Sequence, residues 1–349
     1  DSNTKVDHVP DDRLLFAPSV TWRPRRGTSW TVLTNFQQDK SGSSVGFFPW
    51  QGTLLANPTG RIPTNTFISE PGFDEYRTEQ TAIGYLFTHQ FTNRWTVRQN
   101  FNYTDSRASY QTLYSAFSPR PMLGKDGRTL PRVLYIIFTN ATTTEIDTQS
   151  ESNFRTGSLR HTFLSGIDFQ HASIRQRTAY TSSTPIDVFA PVYGNYTVPA
   201  LGPTSENRQR QTGVYAQDHV RLTERLSDTL GLRRDWARSE TVGRPQSINA
   251  EGALTGRAGV VYAAPLGVAP YFSYSQSFQP LAGADVFNNP YDPIRARQFE
   301  AGAKYQPPSG SALVSASVFD IREQNRLTPD PANPLNRIQT GEARIRGAE

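Results

Sequence analysis

In the segment APYFSYSQSFQP, Ala269 to Pro280, the residues Phe272, Tyr274 and Phe278 occupy alternate positions while Ser273, Ser275 and Ser277 fill the places between. A strand sends successive side chains to opposite faces, so this segment has one aromatic face and one small polar face. The alternation recurs along the chain. Leu14, Phe16, Val20 and Trp22 share a face, as do Trp30, Val32 and Phe36. Ile83, Tyr85, Phe87 and Phe91 oppose Ala82, Gly84, Thr88 and Gln90, and Trp95, Val97, Phe101 and Tyr103 oppose Thr96, Arg98, Asn100 and Asn102. Period two predicts about thirteen strands: 14–24, 29–39, 77–91, 94–106, 142–155, 160–179, 208–222, 228–238, 253–264, 269–279, 296–306, 312–327 and one starting at 340.

The connections alternate as well. Short turns are expected near 25–28, 92–93, 156–159, 223–227, 265–268 and 307–311, and long segments at 40–76, 107–141, 180–207, 239–252, 280–295 and 328–339. In an antiparallel up-and-down meander every second connection emerges at the same rim. Short turns on one rim and long loops on the other are the pattern of a transmembrane β-barrel, with short periplasmic turns and long extracellular loops. Trp22 and Trp30, Phe91 and Trp95, and Tyr262 and Tyr271 flank short turns, where an interfacial aromatic girdle belongs. Arg98, Arg257, Asn100 and Asn102 then point into a wet or filled interior, because a dry core cannot hold unpaired charge.

Composition narrows the alternatives. Only 36% of the 349 residues are hydrophobic, and the longest apolar run, VLYIIF at 133–138, is far too short for a spanning helix. Cysteine is absent, which removes disulfides and thiolate metal sites. The net charge of +5 is spread without a basic cluster, so nucleic acid is not an expected partner. No signal-peptide pattern opens the chain.

Catalytic chemistry has no foothold: no G-x-S-x-G, phosphate-binding loop or dinucleotide fingerprint occurs, and the histidines at 8, 89, 161, 171 and 219 lack metal-ligand spacing. Asp285, Asn288, Asn289 and Asp292 carry calcium-friendly oxygens without the EF-hand pattern and read as a polar loop. The expectation is therefore not an enzyme, with no catalytic residue, metal site or cofactor. Loop aromatics are the candidate ligand-binding residues: Phe47, Phe48 and Trp50 in GFFPWQG, and Tyr180 just past RQRTA. Exposed loop aromatics form binding surface for bulky organic ligands, and a loop mini-core is the competing reading. A passive porin-like channel and a soluble β-rich protein share much of this pattern.

Several blocks in order, FRTGSLRHTFLSGIDF, RQTGVYAQDHVRLTERLSDTLGLRRDWA, GRAGVVYAAPLGVAPYFSYSQSFQP, RQFEAGAKYQPP, NRLTPDP and QTGEARIRGAE, resemble the barrel of TonB-dependent ferric siderophore receptors of the ferrichrome or hydroxamate branch. The resemblance implies a barrel of about 22 strands around an N-terminal plug. It also implies uptake of a ferric siderophore across the bacterial outer membrane, driven through TonB, by a lipid-embedded monomer. Iron then arrives inside its chelator, and no cofactor is needed. In that branch extracellular-loop aromatics line the ligand vestibule. Phe47, Phe48 and Trp50 match such a loop, although the family carries tyrosines and a differently spaced tryptophan there, and Tyr180 falls where the branch has an aromatic pair. The expected organisation is a partial barrel over 1–349, with plug, TonB-box segment and C-terminal strands outside it.

Overall fold

A computed structural model of the chain describes residues 2–43, 46–117, 122–242, 247–287, 289–331 and 336–349. Its strands are β1 (Ser2–Asn3), β2 (Pro10–Phe16), β3 (Ser19–Arg25), β4 (Thr28–Ser41), β5 (Glu75–Thr92), β6 (Trp95–Ser115), β7 (Thr129–Thr156), β8 (Leu159–Asp187), β9 (Ser205–Arg221), β10 (Leu226–Val242), β11 (Ser247–Tyr262), β12 (Val268–Gln279), β13 (Ile294–Tyr305), β14 (Val314–Pro329) and β15 (Arg337–Ala348). They form one antiparallel sheet in which each strand from β4 onward pairs with the next in sequence. β2 and β3 lie end to end along β4, broken at Ala17–Pro18, and β1 is a two-residue extension. Thirteen meander strands therefore remain, as the alternation predicts.

The sheet is curved. Its concave side encloses a cavity of about 850 Å³ whose lining runs from β3 to β10 and includes Asn35, Asn100, Asn102, Asp147, Asp168 and Arg233. Register places Arg257 opposite Gly231 and Ser275 on this same polar side. The convex side presents Val20, Trp22, Ile83, Leu230, Leu232, Leu254 and Phe272, all exposed. An exposed apolar face this large is what a bilayer covers. Phe91 stacks on Trp95 with 4.4 Å between ring centroids beside the turn joining β5 and β6, as a girdle pair should. Tyr271 departs from the expected girdle: it pairs with Gly302 on the concave side and donates its hydroxyl to Glu300.

Two further departures concern strand length and phase. β6, β7 and β8 reach to 115, back to 129 and on to 187, so the long segments expected at 107–141 and 180–207 shrink to 116–128 and 188–204. At these tips one sheet face packs under a loop and the other carries aromatic rings, so VLYIIF is apolar on both faces and the two-residue rhythm vanishes. β10 and β11 likewise extend to 242 and back to 247, leaving a shorter connection than 239–252. In the β14–β15 hairpin the convex side carries Asp320 bonded to Arg344 and Arg346, while Phe319 and Ile321 turn inward. Val318 and Phe319 are consecutive apolar residues, so the sequence pattern changes phase there and the backbone does not.

On the concave wall, long side chains lie across glycines of neighbouring strands. Tyr215 crosses Gly166 and donates its hydroxyl to Asp147 at 2.7 Å; Arg233 crosses Gly213 and reaches Asp168 at 2.9 Å and Asp235 at 2.7 Å. A Cβ at Gly213 would meet the Arg233 guanidinium head-on. Gly213→Val should therefore destabilise the detergent-solubilised protein by about 1–3 kcal/mol, against about 0.5 kcal/mol or less for Gly259→Ala, whose Cβ meets only ordinary contacts. Equal thermal midpoints for the two variants would remove the role given to this crossing.

Candidate ligand-binding vestibule

β6 rises above the start of β5, because Glu75 pairs with Gln111 and nothing in β5 lies beyond it. That leaves an unpaired strand edge, and the loop 42–74 covers it. Leu113 N donates to Ser69 Oγ at 2.8 Å and Ser115 N to the carbonyl of Gly46 at 3.2 Å. Such an edge would otherwise stand open for pairing with another chain. The loop then packs on one face of the β6–β8 tips. Ile62 and Ile68 join Leu130, Ile186 and Val188, and Phe73 joins Leu113, Leu134, Ile136 and Ala179.

A buried ion pair fixes this arrangement. Arg132 and Glu70 are each 1% exposed and 2.8 Å apart. Arg132 also donates to the carbonyls of Ile68 and Thr184, and Glu70 accepts from Gly194 N. The pair thus ties two loops to the sheet, 42–74 through both partners and 188–204 through Glu70. Truncating one partner would strand the other charge in a dry site, which costs about 3–5 kcal/mol. Glu70→Ala should accordingly expose both loops to limited proteolysis while the barrel ladder stays protected in hydrogen exchange. Unchanged cleavage would show that the pair does not hold the loops.

The opposite, concave face of the same tips carries tyrosines. Register puts Tyr76 opposite Tyr110, Tyr114 opposite Val133, and Tyr135 opposite both Thr112 and Tyr180. Ring centroids are 5.4 Å apart for Tyr76–Tyr110, 6.1 Å for Tyr110–Tyr135, 6.4 Å for Tyr114–Tyr135 and 6.4 Å for Tyr135–Tyr180. Edge-on contacts at these separations are favourable and hold the rings upright. Phe47 completes the wall at 5.4 Å from Tyr114 and 5.2 Å from Phe117.

The four sequence-predicted residues separate here. Phe47 and Tyr180 stand in this cluster. Phe48 packs instead against the Ile62–Leu130–Val188 group, so for this residue the mini-core reading describes its surroundings. Phe47 has φ +52°, an uncommon conformation for a bulky residue, and this twist sends adjacent phenylalanines to opposite sides of the sheet edge. Trp50 is 56% exposed and begins a turn in which its carbonyl accepts from the amides of Leu54 and Leu55. Sequence reading missed Tyr76, Tyr110, Tyr114, Tyr135 and Phe117. The signal was available for two of them: continuing the inward positions Asn100 and Asn102 by twos reaches Tyr110 and Tyr114.

Polar groups frame the wall. Ser43 Oγ lies 3.0 Å from Tyr110 Oη, and Asp74 accepts from Thr112 Oγ1 and Ser43 N. Burial pushes the Asp74 carboxyl above its ordinary value, against the opposing pull of these donors. The folded state therefore favours the protonated form. That contribution is complete below the ordinary value of 3.8 and is lost as the pH rises through the higher folded-state value. Amide exchange in 42–74, corrected for intrinsic base catalysis, should accelerate over that interval and lose its pH dependence in Asp74→Asn; an identical profile in the variant would assign the effect to another group. Elsewhere, Asp285 accepts from the amides of Phe287 and Asn289, as a polar turn does, and Asn288 lies outside the described residues. Among the described residues no group of three or more His, Cys, Asp or Glu side chains could hold a metal ion.

Comparison with known proteins places this architecture. The family model described as TonB dependent receptor-like, beta-barrel matches residues 21–349. The chain is 32% identical over its whole length to the ferrichrome outer membrane transporter and phage receptor of Escherichia coli K12, covering 50% of that protein. It is also 32% identical to the ferrioxamine B receptor of Salmonella typhimurium, covering 49% of it. The chain thus spans about half the length of the curated relatives it matches. These relatives are a transporter and a receptor, not enzymes. In structure it superposes on the closed ferric-catecholate import receptor of Escherichia coli K12 with a TM-score of 0.81 at 18% identity, over 99% of this chain and 55% of that one. The ferripyoverdine receptor of Pseudomonas aeruginosa gives 0.80 at 17%, over 99% and 46%.

Proposed function

Because this chain belongs to the TonB-dependent receptor β-barrel family, we propose that it forms part of the wall and mouth of an outer-membrane receptor that captures a ferric hydroxamate siderophore for TonB-driven uptake. The aromatic wall at the loop-bearing rim carries this reading. Phe47, Tyr114, Tyr135 and Tyr180 offer ring faces to the apolar arms of a chelate, and the three tyrosines offer phenolic hydroxyls to its carbonyl oxygens. Trp50 serves as an outer contact on the same loop, and Phe48 sets the position of Phe47 from its mini-core.

Charge selects the ligand class. Three hydroxamates neutralise Fe³⁺, whereas three catecholates leave a trianion that calls for basic side chains. Among the described residues the tyrosine cluster holds no lysine or arginine, which suits the neutral chelate. The named relatives, receptors for ferrichrome and ferrioxamine B, support the same class. Iron is cargo here, already coordinated, so the receptor performs no covalent step. In this proposal a plug domain fills the polar concave side, lipid covers the convex side, and a monomer is the working unit. Capture at the aromatic rim precedes movement of the plug, for which TonB supplies the energy.

Titrating the full-length protein in detergent micelles with ferrichrome, ferrioxamine B and a ferric tris-catecholate tests this, with intrinsic fluorescence as the readout. Saturable quenching by a hydroxamate alone is expected, and Tyr135→Ala or Phe47→Ala should weaken it by about tenfold or more, the usual effect of losing a central aromatic contact. Quenching by the catecholate alone would replace the ligand class. Undiminished hydroxamate affinity in both folded variants would remove the wall from the site.

A further inference from the structure

The loop 42–74 leaves the sheet after β4 and returns at β5, and its two ends meet at one side chain. Asp74, the last residue before β5, accepts from Ser43 N at the loop's start and from Thr112 Oγ1 on β6. Gly42 leaves room for this contact, since a Cβ there would lie 2.7 Å from Asp74 Oδ1. Ser69 closes the same knot from inside the loop: its Oγ lies 3.3 Å from Thr112 Oγ1 and accepts from Leu113 N at 2.8 Å.

The knot touches the aromatic wall directly. Glu75 pairs with Gln111, so Asp74 continues that line toward Thr112, on the face that carries Tyr76 and Tyr110. Ser43 Oγ lies 3.0 Å from Tyr110 Oη, and Tyr110 stands edge-on to Tyr76 and Tyr135. One chain of contacts thus runs from the neck of the loop to the rings, through Asp74, Ser43, Tyr110 and Tyr135. We propose that Asp74 is a positioning residue of the vestibule, latching both ends of the loop 42–74 to β6 and setting the Tyr110 ring through Ser43, so that ligand capture and latch closure are coupled. This rests on the reading of the wall as the capture site.

The coupling involves a proton. A ligand laid against Tyr110 covers the water-facing side of the knot, and losing that water favours the neutral carboxyl. The neutral form keeps the latch: one oxygen still accepts from Ser43 N, and the proton bridges the other to Thr112 Oγ1. The titratable groups around Asp74 are Tyr110 from β6, with Tyr135 of β7 behind it, and Glu70 and Glu75 along its own segment. Glu70 is held by Arg132, and Glu75 accepts from Ser109 Oγ. Burial already holds the Asp74 carboxyl above its ordinary value of 3.8, and capture raises it further. Affinity is therefore greatest below the ligand-free value and declines until the pH has passed the ligand-bound value.

Ferrichrome affinity of the full-length protein in detergent micelles, read by intrinsic fluorescence from about pH 4 to about pH 7.5, tests this. Wild type should weaken about threefold over that interval. Asp74→Asn, whose amide offers the same acceptor and donor without a charge, should give a flat profile. Asp74→Ala should bind about tenfold more weakly at every pH, and Gly42→Ala, which displaces the carboxyl without removing it, should also weaken binding. Ferrichrome should slow amide exchange at Ser43 and Leu113 in wild type and in Asp74→Asn, but not in Asp74→Ala. Equal affinity in wild type and Asp74→Ala, or a wild-type pH profile in Asp74→Asn, would overturn the proposal and leave the uptake reading standing. Failure of wild type to bind ferrichrome at any pH would overturn both.

Discussion

Every structural feature of this chain follows from one constraint: in hydrocarbon the backbone has only itself to bond to. Each amide and carbonyl must find a partner on a neighbouring strand, so the chain is laid out as one antiparallel ladder from β2 to β15. That ladder fixes the two-residue rhythm. It also divides the side chains into a convex set, where Leu230, Leu254 and Phe272 are exposed, and a concave set, where Asp147, Asp168, Tyr215 and Arg233 bond to one another. Polar groups gather on one side because the other is reserved for lipid.

Where the ladder leaves the membrane the constraint changes, and so does the chemistry. β6–β8 continue upward with no lipid to face, and the loop 42–74 covers the outer side and free edge of their tips. The same folding-over that buries Arg132 against Glu70 leaves the concave face free to display aromatic rings. The anchored loop and the aromatic wall are thus back to back on one piece of sheet. Phe47 and Phe48 sit at the fold line, one residue on each side.

The two rims differ in the same physical terms. The long-loop rim is aromatic, and its fully buried charges, Arg132 and Glu70, are paired. At the short-turn rim, Arg155, Arg160 and Arg221 are cross-strand neighbours.

Alternation alone determined the sheet, its thirteen-strand rhythm, the lipid-facing and inward residues, and the rim on which the long loops lie. Local periodicity suffices for these, because the pleat makes neighbouring side chains point to opposite faces whatever lies farther off. The search for loop aromatics also marked Phe47, and Tyr180, which stands inside β8 and not in a loop. What the sequence left open was decided by contacts distant along the chain. Tyr76, Tyr110, Tyr114 and Tyr135 became one wall only through the register of β5–β7, in a stretch where apolar residues on both faces mask the strand signal. The pairing of Arg132 with Glu70, the separation of Phe47 from Phe48, and the inward turn of Tyr271 and Phe319 depend on which strand edge a loop covers and which glycine lies opposite. Spacing along the chain carries no trace of such matters, since they are settled by neighbours brought together only when the sheet is assembled.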